Sequence, residues 1–321
     1  MEFAIDLKSR ITVLPRSFKY QGKAPGDKPG LAWEGKYGVV GMNAYGFDCM
    51  NDGINEAGLY VGLLYLPGFS QYQQVPEGQE PKALSQVFDL GNYILSTCAN
   101  VAEVKDAIAN IFVWGTELPE GIGVMGLHYT IHDAAGGSIV IEYINGEPQI
   151  HDNPIGTLTN SPPFEWHILN LGNFVNLSAI NVPDLKLKNY DVSALGQGSG
   201  MLGLPGDSTP PSRFIRATAF TQAAIPAQTA EEAEVLAFHI VNSFDLFKGL
   251  VRGNENGKDV LETTQWSTIS DLKNRRYFVR YYDNPAMLRV DLSAIDFTKP
   301  AATHIDATGI NWFTDIAGKQ N

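Results

Sequence analysis

The chain has 321 residues, of which 44% are hydrophobic and 18% are charged, so it can bury one large core or two modest ones. Its 23 basic and 35 acidic residues give a formal net charge of −12. No run of Lys or Arg could follow a phosphate backbone, so nucleic acid is not an expected partner. The composition is that of a globular protein and carries little about mechanism.

The sequence contains no pattern typical of a transmembrane helix or of an N-terminal signal peptide. No stretch reaches about eighteen consecutive apolar residues, so we expect no transmembrane helix. The first residues lack the charged start and apolar run of a signal peptide. The chain instead begins like the interior of a domain, because residues 11–14 already carry a strand pattern. The sequence leaves open whether the protein is cytoplasmic or exported.

The first half of the chain predicts short strands, two helices and a hairpin. Runs rich in β-forming residues predict strands over residues 11–14, 37–42, 59–65, 126–134 and 138–144. Asp52-Gly53 and the segment 55–58 have the composition of turns. Apolar faces at helical spacing predict helices over residues 84–95 and 101–111.

The most informative stretch is residues 158–171, which read Leu-Thr-Asn-Ser-Pro-Pro-Phe-Glu-Trp-His-Ile-Leu-Asn-Leu. The β-branched Thr157 and Thr159 predict the end of a strand, and Ser161 predicts a helix cap before two prolines that suit a first turn. Asn160 is therefore expected at a strand-to-helix corner, where a neutral amide can point into a pocket. An Asn that bonds only to its own turn is the blander interpretation, and this stretch alone favours it.

The second half begins with a long irregular segment and ends in strands. Residues 196–207 are Gly-rich, but they lack the Lys-Ser/Thr pair of a phosphate-binding loop, so nucleotide binding is not expected. Helices are predicted from a cap at Ser212 and over residues 230–245, and a strand pattern returns over 263–292. The order β, α, β, α, β without strict alternation predicts a single α+β domain over residues 1–321, with two packed sheets covered by helices.

Patterns for a metal or a common nucleophile are weak. His128 and His132 would share one face of a strand, and a solvent or core face is favoured over a metal site. No Gly-x-Ser-x-Gly elbow supports a Ser-His-Asp hydrolase. Cys49 and Cys98 lack a short spacing, so a disulfide and two buried thiols are equally open. Cys98 lies on an apolar helix, which favours inert packing, and Cys49 has no recognisable base beside it. We expect no cofactor.

Two arginines stand near the start of a predicted helix, where the helix dipole does not favour cations. Arg213 and Arg216 occupy the first turns after Ser212. An arginine in such a position usually has an acidic partner or an anionic ligand. A surface salt bridge is the simpler interpretation for Arg216, whereas the two interpretations are balanced for Arg213.

The chain closely resembles the choloylglycine hydrolase family of linear amide C–N hydrolases, which includes conjugated bile acid hydrolases and penicillin V acylases. The resemblance runs along almost the full chain. It is carried by Met1-Glu-Phe, Tyr37-Gly-Val-Val-Gly, Asp52-Gly-Ile-Asn-Glu-Ala-Gly-Leu, Leu158-Thr-Asn-Ser-Pro-Pro-Phe-Glu-Trp-His, Gly196-Gln-Gly-Ser-Gly and Gly203-Leu-Pro-Gly-Asp-Ser-Thr-Pro-Pro-Ser-Arg-Phe.

This resemblance implies an N-terminal-nucleophile hydrolase with an αββα sandwich, often a homotetramer. In such enzymes an N-terminal Cys thiolate attacks an amide carbonyl while its own α-amino group handles the proton, and that amine titrates near neutrality. By motif, Asn160 would donate its side-chain amide to the oxyanion, and Arg213 would lie beside the nucleophile. Glu2 stands where the family has an acidic residue that orients the amino terminus. The backbone N–H of Tyr65 would complete the oxyanion hole.

One departure from the family pattern concerns the nucleophile. The family places its Cys, and an Arg that helps to activate it, on a strand ahead of the motif that begins at Met1. We therefore expect that the natural protein continues upstream of Met1, because losing one strand of a central sheet would expose an edge. The alternative is a catalytically dead homologue that binds an acyl amide.

The expected activity is hydrolysis of a linear, non-peptide amide, with a small amphipathic acyl amide as the substrate. Tyr65 inclines the choice towards penicillin V-like or other N-acyl amides, since bile acid hydrolases tend to have Asn there. Bile conjugates and acyl-homoserine lactones stay open, because one pocket residue rarely decides specificity.

Overall fold

The computed structural model describes residues 1–118, 123–255, 257–307 and 309–316. It divides into two compact units, one made of Met1–Gly156 with Asp245–Asn321 and the other of Thr157–Phe244. We call these unit 1 and unit 2. The expectation of a single domain stays a prediction.

The described elements are mostly short antiparallel strands. The strands are β1 Glu2–Phe3, β2 Ile11–Leu14, β3 Lys19–Ala24, β4 Lys28–Glu34, β5 Val39–Ala44, β6 Phe47–Asn55, β7 Leu59–Tyr65, β8 Ala83–Ser85, β9 Phe112–Trp114, β10 Glu117–Leu118, β11 Gly123–Val124, β12 Leu127–Asp133, β13 Ser138–Ile144, β14 Glu147–Asp152, β15 Leu185–Leu187, β16 Tyr190–Val192, β17 Val251–Glu255, β18 Lys258–Thr264, β19 Trp266–Asp271, β20 Arg276–Tyr281, β21 Asn284–Asp291 and β22 Thr303–Ile305. The α-helices are α1 Leu90–Thr97, α2 Val101–Ile108, α3 Phe164–Asn170, α4 Pro210–Ala223 and α5 Ala230–Asn242.

Unit 1 is organised around an eight-stranded sheet in the order β14-β13-β12-β7-β6-β5-β2-β22. One face packs against α1 and α2, where Leu59 and Tyr129 of the sheet join Leu90 and Ile94 in a buried cluster. The opposite face packs against the three-stranded sheet β19-β20-β21 through a second cluster that includes Met42, Ile54, Trp266 and Tyr277. Unit 1 therefore contains a helical layer and two sheet layers, and burial of both sheet faces supplies its main stabilisation. The α+β class is confirmed.

The Asp52-Gly53 pair lies inside β6, so the prediction of a turn there was wrong. Gly53 pairs with Gly41 of β5 in the ladder. A Cβ atom added at Gly41 would lie 2.1 Å from the carbonyl oxygen of Asp52. These glycines therefore serve close strand packing rather than a turn. The turn at 55–58 is present, and Asn55 Oδ1 accepts hydrogen bonds from the N–H groups of Ala57 and Leu59, both at 3.0 Å.

The helix predicted over residues 84–95 divides into β8 and a shorter α1. Residues 83–85 pair in parallel with β9 instead of entering the helix. The Asp89 carboxylate accepts a hydrogen bond from Ser85 N at 2.8 Å and from Lys23 N at 3.2 Å. These long-range contacts outweigh the helical spacing of the apolar side chains.

None of the described helices is long and apolar enough to span a membrane.

Unit 2 contains α3, α4, α5 and the hairpin β15-β16. Both predicted helix caps were wrong. The residue before α3 is Pro163 rather than Ser161, and α4 begins at Pro210 after Thr209 rather than at Ser212. Proline suits the first turn of a helix because it has no N–H to leave unpaired, and α4 begins with proline, earlier than Ser212 suggested. The helix α3 begins after Pro163, later than Ser161 suggested.

Candidate active site

Asn160 lies in a loop that leads into α3. The predicted strand end beside it is not formed, because the preceding strand, β14, ends at Asp152. Thr159 is buried and its hydroxyl donates to the carbonyl oxygen of Pro210 at 3.0 Å. The loop before Asn160 is thus held by the start of α4 instead of by a ladder of strand hydrogen bonds.

Asn160 and Arg213 are in direct contact within unit 2. Nη2 of Arg213 donates to Oδ1 of Asn160 at 2.7 Å. A guanidinium group has only donors, so the amide oxygen must face it. The Nδ2 donor of Asn160 is therefore the end of the amide that does not face Arg213.

The position of Arg213 follows from the start of α4. Its backbone N–H donates to the carbonyl oxygen of Thr209 at 2.9 Å, which is the first turn of the helix. Its Nε donates to the carbonyl oxygen of Ser208 at 3.0 Å. The side chain is therefore tied to the residues before the helix at one point and to Asn160 at another, and this restricts its rotamers.

Asp207 organises the loop before α4. One carboxylate oxygen accepts from Thr209 N at 2.9 Å and the other accepts from Ser212 Oγ at 2.6 Å. The hydroxyls of Ser212 and Thr209 lower the pKa of Asp207 to about 2. Asp207 therefore organises the residues before α4, whereas the helix itself begins after Thr209 without a side-chain cap.

Arg216 holds the same loop from the helix side. Its Nη1 donates to the carbonyl oxygens of Pro205 at 2.9 Å and of Asp207 at 3.1 Å. Its guanidinium carbon lies 5.0 Å from the centre of the Phe244 ring. Backbone carbonyls and an aromatic face thus take the place of the surface salt bridge that the sequence favoured.

Glu2 and Tyr65 lie in different sheets of unit 1. Glu2 belongs to β1, and its Oε1 accepts from Thr264 Oγ1 at 3.2 Å. The same oxygen lies 3.7 Å from the nitrogen of Met1, which donates to the carbonyl oxygen of Trp266 at 2.7 Å. Tyr65 is the last residue of β7 and its side chain is 46% exposed.

The two cysteines are free and buried. Cys49 lies in β6, and burial raises its pKa to about 12. Cys98 is the residue that follows α1, and burial also raises its pKa. The thiolate is the reactive form, so neither side chain suits a nucleophile near neutral pH.

The two histidines on β12 contact neighbouring polar side chains of unit 1. His128 is fully buried, and its Nδ1 lies 2.9 Å from Oε1 of Glu142 on the next strand. His132 Nε2 lies 2.9 Å from Thr130 Oγ1. Among the described residues, no group of three or more His, Cys, Asp or Glu side chains could hold a metal ion.

The sequence analysis did not predict that Asp52 of unit 1 is a buried carboxylate. Oδ2 of Asp52 accepts from Tyr60 Oη at 2.9 Å and from Thr268 Oγ1 at 2.7 Å, and Oδ1 accepts from Tyr277 Oη. Burial raises the pKa of Asp52. The cluster joins the eight-stranded sheet to β19 and β20, and only the pairing of distant strands brings its members together.

The comparisons with known proteins agree with one another. The model of the family "Linear amide C-N hydrolases, choloylglycine hydrolase family" matches residues 1–309. A bile salt hydrolase/transferase from Clostridium perfringens is 34% identical over 91% of this chain and 87% of its own. A penicillin V acylase from Pectobacterium atrosepticum is 28% identical over 92% of this chain and 77% of its own.

A solved structure is similar over nearly the whole chain. It is a conjugated bile acid hydrolase from Clostridium perfringens, in a variant whose second residue, a cysteine, is replaced by alanine. It shows a TM-score of 0.83 and 30% identity, and the match covers 97% of this chain and 93% of that one. A match of this extent establishes a common fold.

Proposed function

This chain belongs to the choloylglycine hydrolase family of linear amide C–N hydrolases, and we propose that Asn160 and Arg213 are part of its active site. The protein is a hydrolase that acts on linear amide C–N bonds, and its fold is the αββα sandwich of the N-terminal-nucleophile hydrolases. The observation that carries the proposal is the hydrogen bond from Arg213 Nη2 to Asn160 Oδ1, because it determines which end of the Asn160 amide faces the guanidinium.

We propose an N-terminal Cys, on residues preceding Met1 in the natural chain, as the nucleophile. Support comes from the Clostridium perfringens relative, which carries a cysteine as its second residue. Cys49 is a poor substitute, since it is buried in β6 with a pKa of about 12. An α-amino group titrates at about 8, so that of the Cys itself can act as the base at neutral pH without a histidine.

The proposed reaction has two steps. The Cys sulfur forms a bond to the amide carbonyl carbon, and the carbonyl oxygen becomes an oxyanion. The C–N bond then breaks, the amine leaves with the proton that the α-amino group took from the thiol, and a thioester remains. Water then attacks the thioester carbonyl carbon and the C–S bond breaks, which releases the acid, while the α-amino group passes a proton from that water to the sulfur.

Asn160 is the proposed side-chain donor to the oxyanion. Its Nδ2 belongs to the end of the amide that does not face Arg213, because Arg213 donates to the oxygen end. A donor held in place before the reaction stabilises developing charge without having to reorganise. Arg213 then has two roles, which are to orient Asn160 and to supply positive charge beside the nucleophile.

From the family motifs, we also propose roles in the reaction for Glu2 and Tyr65. Support for Glu2 comes from its carboxylate, which lies 3.7 Å from the nitrogen of Met1, the atom to which the proposed upstream residues would be joined. The backbone N–H of Tyr65 is the proposed second oxyanion donor. Tyr65 also supports an N-acyl amide such as penicillin V as the substrate, since its half-exposed ring at the end of β7 can contact an aromatic or alkyl acyl group.

The proposal is tested with the protein isolated from its natural source. The mass of its N-terminal peptide shows whether a Cys precedes Met1, and amine release from penicillin V and from glycine-conjugated bile acids gives the substrate class. Asn160→Ala should lower kcat about a hundredfold or more. The matched control is Asn173→Ala, because Asn173 is an exposed amide that bonds only to nearby Asn170, at 3.1 Å. Saturable binding of penicillin V without product would favour a catalytically dead homologue.

We further propose that the protein forms a homo-oligomer, with a tetramer as the expected state. Every residue of the hairpin β15-β16 is exposed, including Leu185, Leu187 and Tyr190. A two-stranded hairpin with apolar side chains in water is at best marginally stable alone, so a second copy of this chain is the proposed cover. Light scattering on wild type and on Leu187→Glu tests this, and an unchanged monomer in both would refute it.

A further inference from the structure

His167 is a fully buried histidine that the proposed reaction does not use. It is the fourth residue of α3, about one turn after the loop that carries Asn160. A buried histidine most often fills core space, so its individual contacts decide whether it does more. Two of these contacts reach the two elements that carry Asn160 and Arg213.

The first contact is a hydrogen bond to the backbone of Asn160. Nε2 of His167 lies 2.9 Å from the carbonyl oxygen of Asn160. A carbonyl oxygen can only accept, so Nε2 must carry a hydrogen and donate it. The bond therefore selects the protonation state of Nε2 and holds the peptide group that follows the oxyanion donor.

The second contact is a ring stack on α4. The His167 ring lies 4.6 Å from the Phe214 ring between centroids, with an interplanar angle of 13°. Phe214 is fully buried and directly follows Arg213 in the chain. Phe164 packs edge-on against the same ring at 6.4 Å, so Phe214 is held on two sides. One imidazole thus contacts the loop of Asn160 and the helix of Arg213.

We propose that His167 is a positioning residue that sets the distance between Asn160 and Arg213. The Nε2–H group holds the backbone at Asn160, the ring holds the helix at Phe214, and the 2.7 Å bond between Arg213 and Asn160 closes the arrangement. This inference rests on the proposed function, because it assigns His167 a role through Asn160. A histidine that only filled space would need the ring but not the donor.

Two variants separate the donor from the ring. His167→Phe keeps an aromatic ring for Phe214 and removes the hydrogen bond. His167→Gln removes the ring but can place its side-chain N–H near the position of Nε2. Displacement of a catalytic group by about 1 Å can cost about a hundredfold, so we expect His167→Phe to lower kcat between tenfold and about a hundredfold with KM nearly unchanged. His167→Gln should recover most of that loss.

The experiment uses the full natural enzyme and measures kcat, KM and the unfolding temperature of each variant. His239→Gln is the control, since His239 is an exposed histidine on α5. Asn160→Ala is measured beside them. If Asn160→Ala lowers kcat and His167→Phe does not, the inference fails and the proposed function stands. If Asn160→Ala leaves kcat unchanged, the proposed function fails and the inference fails with it.

A readout independent of activity covers variants that fold poorly. In wild-type protein labelled with nitrogen-15, the imidazole resonances of His167 should show a proton on Nε2. The side-chain amide resonance of Asn160 should shift in His167→Phe and return towards the wild-type position in His167→Gln. An Nε2 without a proton, or an Asn160 amide unmoved by loss of the donor, would overturn the proposal.

Discussion

Arg213 donates from Nη2 to the side-chain oxygen of Asn160 at 2.7 Å, across 53 positions of the chain. The sequence singled out each residue separately, whereas their proposed roles depend on the pair. The guanidinium accepts nothing, so it selects one of the two orientations of the Asn160 amide. The orientation of the proposed oxyanion donor is therefore a property of α4 as much as of the loop that carries Asn160.

A double-mutant cycle on Asn160 and Arg213 should show strong coupling. Asn160→Ala alone should lower kcat by a hundredfold or more, and Arg213→Gln should also lower it, because the amide loses its orienting partner. The double variant should lose less than the product of the single losses, since each change removes the same contact. Lys273→Gln, at an exposed lysine outside the hairpin β15-β16, serves as the second partner in a control cycle, where the losses should simply multiply. Independent effects in the Asn160–Arg213 cycle would contradict the assigned contact.

Asp207 should make unfolding of the protein depend on pH in the acid range. Its pKa is lowered to about 2 by Ser212 and Thr209, whereas an unfolded Asp titrates at about 3.9. The folded state therefore binds the proton less readily, and the stabilisation is present above about pH 4 and is lost as the pH falls towards 2. The difference in unfolding free energy between wild type and Asp207→Asn, measured in urea, should shrink from pH 5 to pH 3. Ser212→Ala should reduce the same pH dependence, and a constant difference would refute the role of Asp207.

Tyr277→Phe should destabilise unit 1 by about 2 kcal/mol. The Tyr277 hydroxyl is buried and donates to Asp52, and a hydrogen bond to a buried carboxylate contributes about 1.5–3 kcal/mol. Chemical denaturation of the two proteins measures the difference. Tyr281→Phe is a matched control on the same strand, because its hydroxyl contacts only the sulfur of Met42, at 4.0 Å. We expect a change of less than about 0.5 kcal/mol for that control. If the two substitutions lowered the unfolding free energy equally, the hydrogen bond between Tyr277 and Asp52 would not be the source of the stabilisation.

Cys49 and Cys98 should resist alkylation in the native protein at pH 8. Both thiols are buried, and the pKa of Cys49 is raised to about 12, so its thiolate fraction at that pH is very small. Mass mapping of peptides after iodoacetamide treatment should find both unmodified in native buffer and both modified in guanidinium chloride. Rapid native modification of Cys49 would mean that it is accessible and would reopen it as a nucleophile.

Local pattern alone placed several elements correctly. The strands over residues 11–14 and 59–65 lie where alternation and β-branched residues indicated, and the hairpin of β12 and β13 differs from its prediction only at the ends. The helix α2 starts after Asn100, whose side chain accepts from Glu103 N. These elements agree with their prediction because near neighbours in the chain decide them. The family motifs, several blocks in a constant order, carried the identification of the fold and of the hydrolase class.

The failures share one physical cause, which is pairing between distant residues. Asp52-Gly53 has the composition of a turn, but Gly41 on β5 needs a partner without a side chain, so the pair lies within a strand. Leu84 fits the helical spacing of the apolar residues over 84–95, but residues 83–85 pair with β9 and Ser85 donates to Asp89. In each case a contact with a remote strand overrides the local preference of the residues.

The sequence by itself determined the family and the α+β class, because these depend on periodicity and motif. Only the tertiary structure decided which end of Asn160 faces Arg213, that Asp207 rather than Ser212 organises the start of α4, and that His167 contacts both elements. Hydrogen bonds are directional and act over about 3 Å, so they can be assigned only when folding has brought the two atoms together.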